Sequence, residues 1–164
     1  MITAKIPAAI AAATGLSESW VRRVLRRLRE EGAIPSGRSP ELNSRHAALV
    51  ILGLTAPPTR AVPAHALALA ALPNRFVPTD GGRTATDALA TLVDDLVEMR
   101  VRTNGAVIVN NSWRAVDLRW IDDNGLPVTR EFGEGDHAVN RLMAATTTLP
   151  LVAVRSIAVA LTGR

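Results

Sequence analysis

Hydrophobic and polar positions change period once along this chain, near residue 104. Before that point apolar residues recur at three and four, the spacing of helices with one buried side; after it they alternate, the spacing of strands. Ile10-Ala11-Ala12-Ala13 predicts a short first helix, capped by Thr3 or a neighbour, with Pro7 tolerated in its opening turn. Thr14-Gly15 ends it, because Gly accepts the left-handed conformation a tight turn needs. Ser17 is a good cap for a second helix, which runs to about Glu31, stops at Gly32 and has Val21, Val24, Leu25 and Leu28 as its buried stripe. Residues 33–40, with Pro35, Gly37 and Pro40, read as a short extended or wing-like passage. Asn43 or Ser44 then caps a third helix. Its residues 47–54 are apolar on almost every side, so it must lie in a core or at a subunit interface.

Three prolines in 56–63 suggest a linker, followed by an Ala/Leu-rich helix over 64–72 and a loop over 73–82 with Asp80-Gly81-Gly82 as its turn signal. Thr84 or Thr86 opens a longer helix to about 102, with Leu89, Leu92, Val93, Leu96, Val97 and Met99 at helical spacing. Asp87 in its first turn and Arg100 and Arg102 at its end complement the helix dipole. Asn104-Gly105 is a turn, 106–109 a strand, and 113–121 a second strand alternating Val116, Leu118 and Trp120 against Asp117 and Arg119. Asp122-Asp123-Asn124-Gly125 is a hairpin signal before a third strand over 128–132, which ends at 133–135. Residues 137–147 fit helix and strand equally, and 148–162 reads as an amphipathic helix with Pro150 in its first turn. The expected fold class is α+β: an N-terminal three-helix unit over 1–55, a helical linker or oligomerisation region over 56–103, and a small antiparallel sheet with a closing helix over 104–164.

Charge changes the picture when it is located. Residues 1–45 hold eight basic side chains (Lys5, Arg22, Arg23, Arg26, Arg27, Arg29, Arg38, Arg45) against four acidic ones (Glu18, Glu30, Glu31, Glu41), while residues 46–164 balance at eleven against eleven. The whole excess of +4 therefore sits on the first helices, where a polyanion would feel it.

The stretch Ile10 to Leu28 resembles a helix-turn-helix. Ala11, Gly15 and Val21 stand at the spacing at which that family places a small residue, a turn glycine and a β-branched residue, with Ile10, Leu16 and Val24 as core positions. The resemblance covers roughly residues 3–42. No helix is expected before the motif, so the helix over 44–55 would complete the three-helix core, as in MerR-like and some winged-helix proteins, which Glu31-Gly32-Ala33-Ile34 also resembles. It implies that Ser17, Glu18, Ser19, Arg22, Arg23 and Arg26 face the major groove of double-stranded DNA. Arg22, Arg23 or Arg26 would then bind guanine in bidentate fashion, each worth about 1–3 kcal/mol of discrimination, and Glu18 would accept from a cytosine amino group. Arg27, Arg29, Arg38 and Arg45 would hold phosphates. Trp20 is expected to pack against the third helix.

Other chemistry is sparse. His46, His65 and His137 stand far apart without metal-ligand spacing, and Cys is absent. Asp94-Asp95 diverge by about 100° on a helix, Asp122-Asp123 belong to a hairpin turn, and Ser112 and Ser156 lack a nucleophile signature. The expectation is no enzyme, no cofactor and no metal. Without an apolar run of 18 residues or a leader pattern, a cytoplasmic protein is expected, with no membrane partner. The leading expectation is a sequence-specific regulator of transcription acting as a dimer or higher oligomer, with the helices over 44–55, 64–72 and 84–102 as either oligomerisation candidates or ordinary core elements, and a possible protein partner for 104–164. The layout is also similar to the small terminase subunits of tailed phages, which implies a ring that recognises DNA for packaging. A protein-binding adaptor, whose basic helix is ordinary surface, is a third reading.

Overall fold

The first reversal of the chain is closed by backbone and short-range side-chain hydrogen bonds. In the computed structural model, which describes residues 5–37, 41–58, 60–75, 83–112, 114–133 and 145–163, helix α1 (Ile6–Thr14) ends at Gly15 with φ +72°. The Gly15 N–H closes the last turn on the Ala11 carbonyl at 2.9 Å. Ser17 then takes an extended conformation and starts α2 (Glu18–Glu30), its hydroxyl accepting from the Trp20 N–H at 3.3 Å. Two further helices open on reciprocal caps. Before α3 (Ser44–Leu54), Asn43 Oδ1 accepts from the His46 N–H while His46 Nδ1 accepts from the Asn43 N–H. Before α5 (Ala85–Val97), Thr84 and Asp87 exchange the same pair of bonds. Helix α4 (Val62–Ala70) lies between these two, with Pro63 in its first turn.

The strands β1 (Gly105–Asn110), β2 (Ala115–Ile121), β3 (Pro127–Gly133) and β4 (Thr146–Pro150) form an antiparallel sheet in the order β3-β2-β1-β4, and α6 (Leu151–Thr162) follows directly. Val116 pairs with Val109 and Phe132, and Val107 pairs with Leu118 and Leu149, so two rows of apolar side chains share one buried face. That face meets the helices in one contiguous core reaching from Ile10 on α1 to Leu161 on α6 and drawing on all three segments of the sequence. The fold is α+β, with helices first and a closing C-terminal helix.

One open alternative closes and two expectations change. Residues 44–55, 64–72 and 84–102 are core elements, with their apolar stripes not free for assembly. Helix α3 is buried from Ala47 to Leu54 against α2, α4, α5 and α6, α5 buries Leu89, Leu92, Val93 and Leu96, and α4 leaves only Leu67 substantially exposed among its leucines. The fifth helix stops at Val97, where Met99 turns to φ +57° and the N–H groups of Arg100 and Val101 fold back onto the Asp95 carbonyl, so Arg100 and Arg102 lie beyond its end. Finally, the C-terminal helix starts at Leu151; Pro150 is its cap, and Thr146–Pro150 is a strand that completes the sheet. The run Thr146-Thr147-Thr148 carried that signal, since β-branched side chains favour the pleat.

Candidate nucleic-acid interface

Helix α2 is held by its apolar stripe. Val21, Val24 and Leu28 are fully buried and Leu25 nearly so. They approach α3 closely at Gly53, where an added Cβ would sit 3.1 Å from Val24 Cγ1 and 3.3 Å from Leu28 Cδ1. Ile10 is fully buried beneath the turn, and Ala11, Leu16 and Trp20 pack against the same core. Helix α3 meets α2 as the sequence predicts, and α6, from the other end of the chain, packs along α1. The α1–turn–α2 unit is thus braced from both sides.

Burying positions 21, 24, 25 and 28 turns Arg22, Arg23, Arg26 and Arg27 outward, and all four are exposed. Arg22 pairs with Glu18, its Nε donating at 2.9 Å, so the Glu18 carboxylate is engaged by its own helix. Glu30 serves both Arg26, at 3.6 Å, and Arg27, at 3.2 Å. Arg23 has no carboxylate partner among the described residues; its guanidinium lies over Trp20, 5.7 Å from the ring centroid. Exposed helical ion pairs of this kind are worth about 0.3–0.5 kcal/mol each, so a phosphate displaces them at little cost. Five arginines stand against three glutamates on residues 18–31.

The remaining predicted contacts disperse. Ser17 Oγ is occupied as the cap and lies 3.2 Å from Ser19 Oγ. Both serines, with Trp20 and Arg23, wall a groove of about 590 Å³ whose far side is residues 54–58, Asn111, Thr146 and Thr147. Arg29 is half-buried, with its Nε enclosed and without a hydrogen-bond partner. Arg45 is not brought to α2. It sits at the start of α3, eight residues or about 12 Å of helix from Gly53, and pairs with Asp87 on α5 at 3.3 Å. Arg38 lies outside the described residues. The face the structure assembles is therefore Arg22, Arg23, Arg26 and Arg27, with Ser17 and Ser19 at its leading end. Ser17→Ala is expected to lower stability by about 1 kcal/mol, read as a shift in urea midpoint, because it removes the side-chain acceptor of the turn.

Among the described residues, no group of three His, Asp or Glu side chains could hold a metal ion, and no helix is long and apolar enough to cross a membrane. No protein-family model, characterised protein sequence or solved structure matches this chain.

Proposed function

We propose that this protein binds double-stranded DNA in the major groove through α2 and reads its sequence there as a regulator of transcription. The observation that carries the reading is the outward face of α2: four exposed arginines on a helix fixed by a left-handed Gly15 turn, a Ser17 cap and a fully buried stripe. A helix of 13 residues with such a face fits the groove, and its guanidiniums offer the paired donors that guanine O6 and N7 accept. One short helix makes few contacts, so the reading includes a two-fold pair of chains on a two-fold site. Since α3 and α5 are spent on the core, that pairing uses other surfaces.

The test is binding of duplex DNA across a salt series, with native mass measured in parallel. Affinity should fall linearly on logarithmic axes as salt rises. Arg22→Ala/Arg23→Ala/Arg26→Ala should weaken binding by about a hundredfold or more and flatten sequence preference, given about 1–3 kcal/mol per bidentate contact. A dimer mass supports a regulator, whereas a ring of many subunits would transfer the DNA contact to packaging. An absence of binding at low salt would leave the arginine face as ordinary surface and end the proposal.

A further inference from the structure

A second set of cations lines a small cavity at the start of α4. The β1–β2 turn brings Arg114 to the start of α4, where Arg60, His65 and Arg114 line one cavity of about 170 Å³ together with small or apolar residues. Arg114 has a positive φ of +47°, a conformation that non-glycine residues rarely adopt. No acidic side chain contributes to the wall. Neither arginine forms an ion pair with any described residue, so both guanidiniums keep their charge uncompensated beside the cavity.

The floor of the cavity is polar but neutral. His65 is 7% exposed, and its Nε2 lies 3.5 Å from Thr55 Oγ1. That hydroxyl donates to the Leu52 carbonyl at 2.7 Å, so it faces the imidazole as an acceptor and the ring presents Nε2–H to it. Burial, then the charges of Arg60 and Arg114, hold His65 down at about 4. Two like charges facing one small cavity repel, and an anion between them removes that cost. The space is well below the roughly 300–1,000 Å³ of a drug-sized ligand pocket. It suits one tetrahedral oxyanion.

We infer that Arg60 and Arg114 form a phosphate-binding site above His65, separate from the arginine face of α2. The inference does not depend on DNA binding. A phosphate group reaches the site either as a free ion or small phosphorylated molecule, or as part of a nucleic-acid backbone, and the experiment separates these sources.

The His65 ring proton resonance is followed by NMR in the full chain between pH 4 and 6.5, with inorganic phosphate or sulfate replacing chloride at constant ionic strength, and separately with a short duplex DNA. A bound oxyanion offsets the two guanidiniums, so the His65 midpoint should rise by one pH unit or more, and Arg60→Gln/Arg114→Gln should abolish the rise. Both replaced side chains are exposed, so the variant should keep its fold, checked by its unchanged far-ultraviolet circular dichroism. A shift with free phosphate or sulfate alone assigns the site to a small ligand. A shift with DNA alone, accompanied by a loss of up to about two from the salt slope in the double variant, assigns it to the backbone. His65 left unmoved by all three probes, or moved equally in wild type and variant, overturns the site whether or not α2 binds DNA.

Discussion

Gly105→Ala is expected to destabilise the protein by about 3 kcal/mol or more, as the first residue of β1 is driven off β2. Gly105 has φ +156° and pairs across the sheet with Trp120. A Cβ there would lie 2.0 Å from the Arg119 carbonyl oxygen and 2.8 Å from Trp120 Cα, and both are backbone atoms that cannot swing away. The sheet must part at the point where the chain passes from its helices into its strands. Gly125→Ala is the matched control. It has φ +79° but open space around its Cβ position, so only the left-handed penalty of about 1–2 kcal/mol applies. Urea unfolding of the two variants measures the difference. Equal losses would show that the close approach at Gly105 is absent in solution.

The second large effect is acid sensitivity from His65. Its folded-state pKa, about 4, lies below the ordinary 6.5, first because it is buried and then because Arg60 and Arg114 are near. Above pH 6.5 the imidazole is neutral in both folded and unfolded chains and costs nothing. As pH falls from 6.5 toward 4, the unfolded chain takes up a proton that the folded chain refuses, and stability drops by roughly 3 kcal/mol in total. Asp87 acts in a different window. Its hydrogen bonds from the Thr84 hydroxyl and then the Thr84 N–H lower its pKa from 3.8, so its share is lost only below about that value. Unfolding free energies at pH 7, 5.5 and 4.5 should therefore fall in the wild type and fall much less in His65→Gln. Parallel curves for the two proteins would remove His65 as the source.

Legibility from sequence follows the range of the interaction concerned. The stripe Val21, Val24, Leu25 and Leu28 and the outward turn of Arg22, Arg23, Arg26 and Arg27 are consequences of helical spacing, and the structure places both accordingly. So are the Gly15 turn and the caps at Ser17, Asn43 and Thr84, each closed within four residues of chain. Arg45 shows the limit. Its proximity in sequence to the arginine helix suggested a shared role, but the direction of α3 carries it to Asp87 on α5. The β4 strand shows another: five residues ending in proline have too little periodicity to declare a strand, and pairing with β1 decides it.

The order of the six helices and of the first three strands, the α+β class, the charge excess of residues 1–45 and the face of α2 on which the arginines stand are legible in the sequence. These depend on backbone hydrogen bonds and on side chains a few residues apart, which each short segment satisfies alone. Tertiary structure decided that the apolar α3 is a core helix, that α6 braces α1, and that Arg60 and Arg114, 54 positions apart, open onto one cavity above His65. Those outcomes depend on which apolar faces bury one another. That choice is a property of the whole packed chain, since burial is non-directional and rewards any partner that excludes water well enough.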